Sequence, residues 1–190
     1  GVGMGIGMAM AEKVSADKNK SNRFTYVLAG DGDLQEPIAL GSSTLAGHWK
    51  LSNLIMFYDK NDIQIAGKTS RVDSTDYAKL YESMGWHVQE IDGHNHNEIR
   101  KAIKNAQSSK LPSIIIGTTT IAKGSFSLEN NPKSHGAPFS EEEIMLTKNK
   151  LGLPQNSFFF FFFIINNFQR NFNTLRDKVK VLDQSFENIS

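Results

Sequence analysis

Four short β-rich runs separated by amphipathic stretches constrain this chain more than any other feature: 24–28 (FTYVL), 54–58 (LIMFY), 86–91 (WHVQEI) and 113–118 (SIIIGT). Such alternation predicts βα units, and hence an α/β fold in which a parallel sheet is flanked by helices. Helical signals lie between the runs. Pro37 suits the first turn of a helix that opens after Glu36, with Ile38, Leu40, Leu45 and Ala46 as its expected buried face. Residues 74–84 read as a helix stopped by Gly85, and Asn95 with Glu98 marks a cap before IRKAIKNA. Ser140 with Glu143 forms a further capping box, for a helix expected to end near Gly152 with Pro154 just beyond. Trp86 is expected in the core.

Composition narrows the function classes. Lys and Arg number 21 against 20 Asp and Glu, a net charge of +1, and the lysines are scattered, so nucleic acid is not an expected partner. The absence of cysteine excludes disulfides, thiolate metal sites and a Cys nucleophile, and makes a cytoplasmic location the default. A hydrophobic fraction of 39% over 190 residues suits one core. The longest apolar run, residues 158–165, falls far short of the roughly 20 residues that span a bilayer, so no membrane span is expected. The opening GVGMGIGMAMAEK lacks a charged n-region and a cleavage site, and the expectation is of a chain that begins mid-domain. It is not a dinucleotide fingerprint either, because position 6 is Ile and no strand precedes Gly1. All 15 glycines lie at or before Gly152 whereas nine of the 13 phenylalanines lie at or after Phe158, which sets an expected boundary between residues 1–153 and 154–190.

The polar signals that carry chemistry sit at two strand ends. Gly30-Asp31-Gly32 leaves the first strand and Asn61-Asp62-Ile63 follows the second through Asp59, 30 residues on from Asp31. Ligands of open parallel sheets bind beyond the carboxyl ends of the strands. A hard divalent cation takes oxygen ligands, and Mg²⁺ uses few protein oxygens where a substrate phosphate supplies others. An Asp carboxylate, an Asn amide oxygen and a backbone carbonyl make such a half-shell, and the glycines beside Asp31 let a phosphate approach the backbone. Taken alone, Gly-Asp-Gly reads first as plain turn chemistry; the spacing of 30 residues from Asp31 to Asn61, each at a strand end with a helix between, is what favours a site.

GDGDLQEPI, followed 30 residues later by the Asn of FYDKNDIQIAG, resembles a thiamine-diphosphate motif. GMAMAEK, STLAGHWKLSNLI, YESMGWHVQEIDGHN and KSHGAP, in this order, resemble segments of transketolase over about residues 1–153. The resemblance implies a partial thiamine-diphosphate-binding fold, with Mg²⁺ or another divalent cation such as Ca²⁺ held by Asp31, Asn61 and the main-chain carbonyl of Ile63. It implies that Gly32 and Asn61 contact the diphosphate, and that His135 reaches both cofactor and sugar substrate. It also implies that Glu36 is a buried carboxylate near a subunit interface, linking paired active sites; as a residue, Glu36 equally suits a helix N-terminus. Lys123 stands where the family often has Lys or Phe. The opening segment resembles a buried helix, with Gly3, Gly7, Ala9 and Ala11 as its packing face. His94 and His96 lie in a loop to which the family gives the only role, and His48 and His87 have no expected partner.

The implied activity is transfer of a two-carbon ketol unit between sugar phosphates in the pentose phosphate pathway, by a homodimer in its complete form. Transketolases also carry an upstream cofactor loop, GPLGQG, and a pyrimidine-binding domain, neither of which is in these residues; the fragment is expected to be inactive alone. Alternatives are a deoxyxylulose-phosphate synthase, against which GWHVQEIDGHN and SHGAP argue, and a degenerate binding or assembly module. The stretch from Gln155, with six consecutive phenylalanines, matches nothing in the family; it reads as a frameshift product of an AT-rich gene, or else as an apolar clamp, and as an aggregation hazard if exposed.

Overall fold

A computed structural model describes residues 1–19, 23–65, 67–157, 166 and 168–173 of the chain. A long helix, α1 (Val2–Asn19), leads into β1 (Thr25–Gly30), a single-turn α2 (Asp31–Gln35) and α3 (Pro37–His48). Next come β2 (Leu54–Lys60), a small hairpin of β3 (Ile63–Gln64) and β4 (Gly67–Lys68), then α4 (Tyr77–Ser83) and β5 (His87–Asp92). The chain continues through α5 (His96–Ser108) and β6 (Ser113–Thr118) to α6 (Glu141–Lys150). The main sheet has the order β1-β2-β6-β5 and every pairing in it is parallel. The expected fold class is therefore the observed one, and all four carboxyl ends open at one edge.

The central strands β2 and β6 are apolar because both of their faces are covered, whereas Tyr26 and Leu28 of the edge strand β1 are exposed. Leu54, Met56 and Tyr58 of β2 face one layer, with Val27, Ile114, Ile116 and the helices α1, α3 and α4. Ile55 and Phe57, one residue out of step, join Ile115 and the Ala102 and Ala106 face of α5 in the other. Trp86 is 4% exposed, donates from Nε1 to the Ser43 carbonyl at 2.9 Å and stacks edge-on to Tyr81.

Two packing faces differ from expectation for one reason, the closeness of helix to neighbour. In α3 the buried residues are Ala39, Ser43, Ala46 and Gly47, while Ile38 and Leu45 are exposed. A Cβ on Gly47 would stand 1.8 Å from the Met84 carbonyl oxygen, so only small residues fit that face and the large ones lie on its flanks. In α1 the buried face is Val2, Gly5, Ile6 and Ala9, not the expected set: Gly7 and Ala11 are exposed and Gly3 is half-buried against α3. Gly5 is the close approach, since a Cβ there would lie 2.3 Å from Val27 Cγ2.

The N-cap residues are local signals and hold, although the Glu143 carboxylate turns to Ser127 and does not complete the expected box with Ser140. The Asn95 side chain accepts from the N–H groups of Asn97 and Glu98, and Ser140 Oγ accepts from the Glu143 N–H at 3.2 Å. Helix α4 starts later than residue 74 because Asp76 takes the cap, accepting from the Lys79 N–H. Gly85 and Gly152, with φ of +84° and +66°, end α4 and α6 in the left-handed conformation that glycine adopts at least cost. His87 does find a partner, Ser113 Oγ at 3.3 Å. Among the described residues no helix is long and apolar enough to cross a membrane. The apolar run 158–165 lies outside the described residues.

Candidate functional site

Three chain segments meet at the carboxyl edge of the sheet because of strand register. Gly30 lies opposite Asp59, and Lys60 opposite Thr118, so Asp31, Asn61 and Thr119 emerge side by side. Asp31 is 4% exposed although it opens the surface helix α2. Its Oδ1 accepts from the Tyr58 hydroxyl at 2.7 Å and its Oδ2 from the Asn61 N–H at 3.2 Å. Burial pushes the Asp31 carboxyl above the ordinary carboxylate range, while Tyr58 and the backbone amides of Asn61 and Asp62 pull the other way. A carboxylate offers about four lone-pair directions; these two hydrogen bonds leave some for a cation.

Asn61 is half-buried and its Oδ1 accepts from the Ile63 N–H at 3.0 Å, which leaves that oxygen a second lone pair. Between them Asp62 holds a left-handed φ of +61°, with Lys60 Nζ on its carboxylate at 2.7 Å. This corner turns the backbone so that Asn61 and Ile63 flank Asp31. The cleft above, of about 590 Å³, is bordered by Asp31, Tyr58, Asn61, Ile63, Tyr77 and Thr119. A second cleft of about 650 Å³ shares Asn61 and Thr119 and adds Gly30, Asp33, Asp59 and His94. Among the described residues no three His, Asp or Glu side chains cluster to hold a metal, so a cation here would need neutral oxygens as well as carboxylates.

The other expected residues are placed less tightly. Gly32 is exposed, and a Cβ on it would meet no atom within 4 Å and no positive φ, so the chain's own packing does not require glycine there. Glu36 caps α3 through its backbone, its side chain exposed and making no cap bond, so within this chain it is not a buried carboxylate. His135 is exposed after a 3₁₀ turn at Pro132–Ser134, bonded through its N–H to the Pro132 carbonyl, and borders neither cleft. Lys123 is exposed.

Two site residues were not anticipated. Tyr58 read as plain core, yet its hydroxyl orients Asp31; the signal available was a polar-tipped aromatic in the last inward position of a strand. His94 accepts from the Thr120 N–H through Nε2 at 2.8 Å, so that nitrogen carries no proton in this contact. Together with Thr119, which donates its hydroxyl to Asp59 and its N–H to the Lys60 carbonyl, it fixes where the loop after β6 begins.

Comparison with known proteins decides among thiamine-dependent possibilities. A family model described as transketolase, thiamine diphosphate binding domain, matches residues 1–189. The chain belongs to the transketolase family. A transketolase of Sinorhizobium medicae is 41% identical over 161 residues, 83% of this chain and 23% of that protein. The crystal structure of a Campylobacter jejuni transketolase superposes with a TM-score of 0.80 at 41% identity, covering 83% of this chain and 25% of that one. A Pichia stipitis transketolase, solved in complex with sedoheptulose 7-phosphate, has a TM-score of 0.75 at 36% identity, covering 84% and 25%. The chain thus spans about a quarter of the length of the transketolases it matches, within the part described as the thiamine-diphosphate-binding domain.

Proposed function

We propose that this domain anchors thiamine diphosphate through a divalent cation, Mg²⁺ or another such as Ca²⁺, as one part of a transketolase that moves a two-carbon ketol unit between sugar phosphates. The cation is held by the Asp31 carboxylate, the Asn61 amide oxygen and the Ile63 carbonyl; Gly32 and Asn61 meet the diphosphate. The observation that carries this is the buried Asp31 carboxylate, hydrogen-bonded by Tyr58 and the Asn61 N–H at the meeting of two parallel strand ends. A charge so placed is costly until a counter-ion arrives. Gly32 is exposed next to Asp31 with no side chain of its own, so its backbone is open to approach by a diphosphate.

When bound, the cofactor supplies the electron sink for carbon–carbon bond exchange. The chain's own residues bind and orient: Tyr58 fixes the rotamer of Asp31, Asp59 and His94 fix the loop that borders the cleft, and His135 donates a hydrogen bond to a substrate hydroxyl or oxyanion. Sugar phosphates as substrates are supported by the Pichia stipitis complex. The pyrimidine-binding domain comes from outside these residues and the complete enzyme is a homodimer, in which the partner covers Glu36; the chain alone therefore lacks turnover.

The test is calorimetric titration of the chain with thiamine diphosphate in the presence and absence of Mg²⁺. Binding is expected only with the cation and is expected to be lost in Asp31→Ala. Binding that ignores both Mg²⁺ and Asp31→Ala would sink the assignment.

A further inference from the structure

His135 lies in a long connection, residues 119–140, between β6 and α6, and loops of this length inside a compact domain are uncommon unless they carry function. What gives this one its shape is a row of side chains on α6. Glu143, at 7% exposure the one buried side chain of the helix, spends both carboxylate oxygens on Ser127: Oε1 accepts the backbone N–H at 2.8 Å and Oε2 the hydroxyl at 2.6 Å. One turn on, Thr147 Oγ1 accepts the Phe126 N–H at 2.9 Å. A further turn on, Lys150 donates to the Ser125 carbonyl at 2.7 Å and pairs at 3.6 Å with Glu129, whose carboxylate accepts the Gly124 N–H. Positions i, i+4 and i+7 of one helix face thus take hold of three consecutive loop residues in reverse order.

We propose that this face of α6 is a latch that closes residues 128–139 into a loop and sets the place of His135, which makes Glu143 a positioning residue for the site. The proposal rests on the role given to His135 above. Closure follows from the connectivity. Ser127 enters the loop held by Glu143, and Ser140 leaves it as the N-cap of the same helix, its Oγ on the Glu143 N–H. Both ends of a twelve-residue segment are therefore tied to one residue, Glu143, by its side chain and its backbone. Inside the segment the turn that presents His135 is internally bonded, with Asn131 capping Lys133 and the Ser134 and His135 N–H groups on the Asn131 and Pro132 carbonyls. The segment is also tied at Asn130, whose N–H donates to the Ile121 carbonyl at 3.0 Å, so the turn hangs between that bond and the α6 contacts. A capping box in the usual sense would send the Glu143 carboxylate back to the Ser140 N–H; its turn outward to Ser127 is what the sequence pattern does not foretell. Ser127, through its hydroxyl and N–H, holds Glu143 below the usual carboxylate range, in keeping with a carboxylate that keeps its charge in this contact.

Rapid-mixing amide exchange on the full chain tests this, comparing wild type with Glu143→Gln, Thr147→Val and Lys150→Met. In Glu143→Gln the Ser127 N–H keeps only a neutral amide acceptor and the Ser127 hydroxyl must turn from donor to acceptor of the side-chain amide, so two charge-assisted bonds are lost and Ser127 exchange should rise about tenfold or more. The diagnostic readout lies away from the mutation: Ser134 and His135, whose own acceptors are untouched, should rise with Ser127, while Ile115 and Ile116 in the sheet stay protected. Thr147→Val and Lys150→Met should loosen Phe126 and Gly124 with a smaller effect at His135, and they keep the test open if Glu143→Gln perturbs the whole fold. Change confined to Ser127, or no change, overturns the latch. The site assignment is read separately, from the His135 imidazole resonance of the wild type on addition of Mg²⁺ and thiamine diphosphate. A silent His135 alongside the expected exchange pattern would overturn its role at the site and leave the latch standing.

Discussion

Removing one oxygen atom, in Tyr58→Phe, separates the cation site from the core that surrounds it. The ring of Tyr58 is 2% exposed and packs edge-on to Tyr77 at 5.6 Å, and phenylalanine keeps that packing. Lost is the hydroxyl that donates to Asp31 Oδ1 at 2.7 Å. Burial and the neighbouring Asp31 push the phenol well above its ordinary range, so it is a donor at every working pH. A hydrogen bond to a charged group contributes about 1.5–3 kcal/mol, and at 1.4 kcal/mol per factor of ten this is roughly a 10- to 150-fold change in an equilibrium constant. Loss of a group that orients a metal ligand costs about 10- to 100-fold in affinity, so the two ranges agree. The assay is thermal or urea unfolding of the full chain against Mg²⁺ at constant thiamine diphosphate. At a cation concentration of about 100 Kd the wild type should gain about 2.7 kcal/mol, and a variant with about 100-fold weaker binding only about 0.4 kcal/mol. Equal Mg²⁺-dependent stabilisation of both proteins would refute the claim that Tyr58 orients a cation ligand.

Further expectations concern packing, pH and chemistry. Gly5→Ala should destabilise by about 1–3 kcal/mol through its clash with Val27, yet in a Val27→Ala background it should be neutral or stabilising, since alanine is the better helix former by about 1 kcal/mol; urea unfolding of the four proteins measures the coupling, and simple additivity would contradict the contact. Glu143 is held low by the Ser127 hydroxyl and N–H, so its contribution is complete above its ordinary value of 4.5 and is lost as pH falls through the lower folded value; Ser127 exchange protection that disappears at about pH 6 would contradict this. His94→Ala should leave the Thr120 N–H without its acceptor, at a cost of about 1–3 kcal/mol if water does not replace it, and should raise Thr120 exchange ahead of Ile115. In a complete enzyme built around this domain, His135→Ala should lower kcat/KM by about 10²-fold even at saturating cofactor, whereas the Asp31→Ala defect should be partly rescued by high Mg²⁺ and thiamine diphosphate; full rescue of His135→Ala would reduce His135 to an anchor.

What the amino-acid sequence determined by itself was most of what depends on neighbours a few residues away, the β3–β4 hairpin and the Asp76 cap being the local features it did not mark. The runs at 54–58 and 113–118 are strands because they are β-branched, aromatic and apolar over a strand's length, and Asn95, Ser140, Gly85 and Gly152 bound helices because capping is an interaction within one turn. Asp31 and Asn61 were legible as a pair for a related reason: two strand ends with a helix between them return the chain to the same edge, so residues 30 apart become neighbours. Tertiary structure decided which side of a helix is inside. Periodicity marks Ile38 and Leu45 as an apolar stripe, but the spacing between α3 and the Met84 turn leaves room only for Gly47 and Ala46. The same holds for partners far apart in sequence. Tyr58 on Asp31, His94 on Thr120 and Glu143 on Ser127 span 27, 26 and 16 residues, and each is a single directional hydrogen bond or pair of them. Such a bond needs donor and acceptor within about 3 Å, a condition that sheet register and loop path set and that no local pattern records.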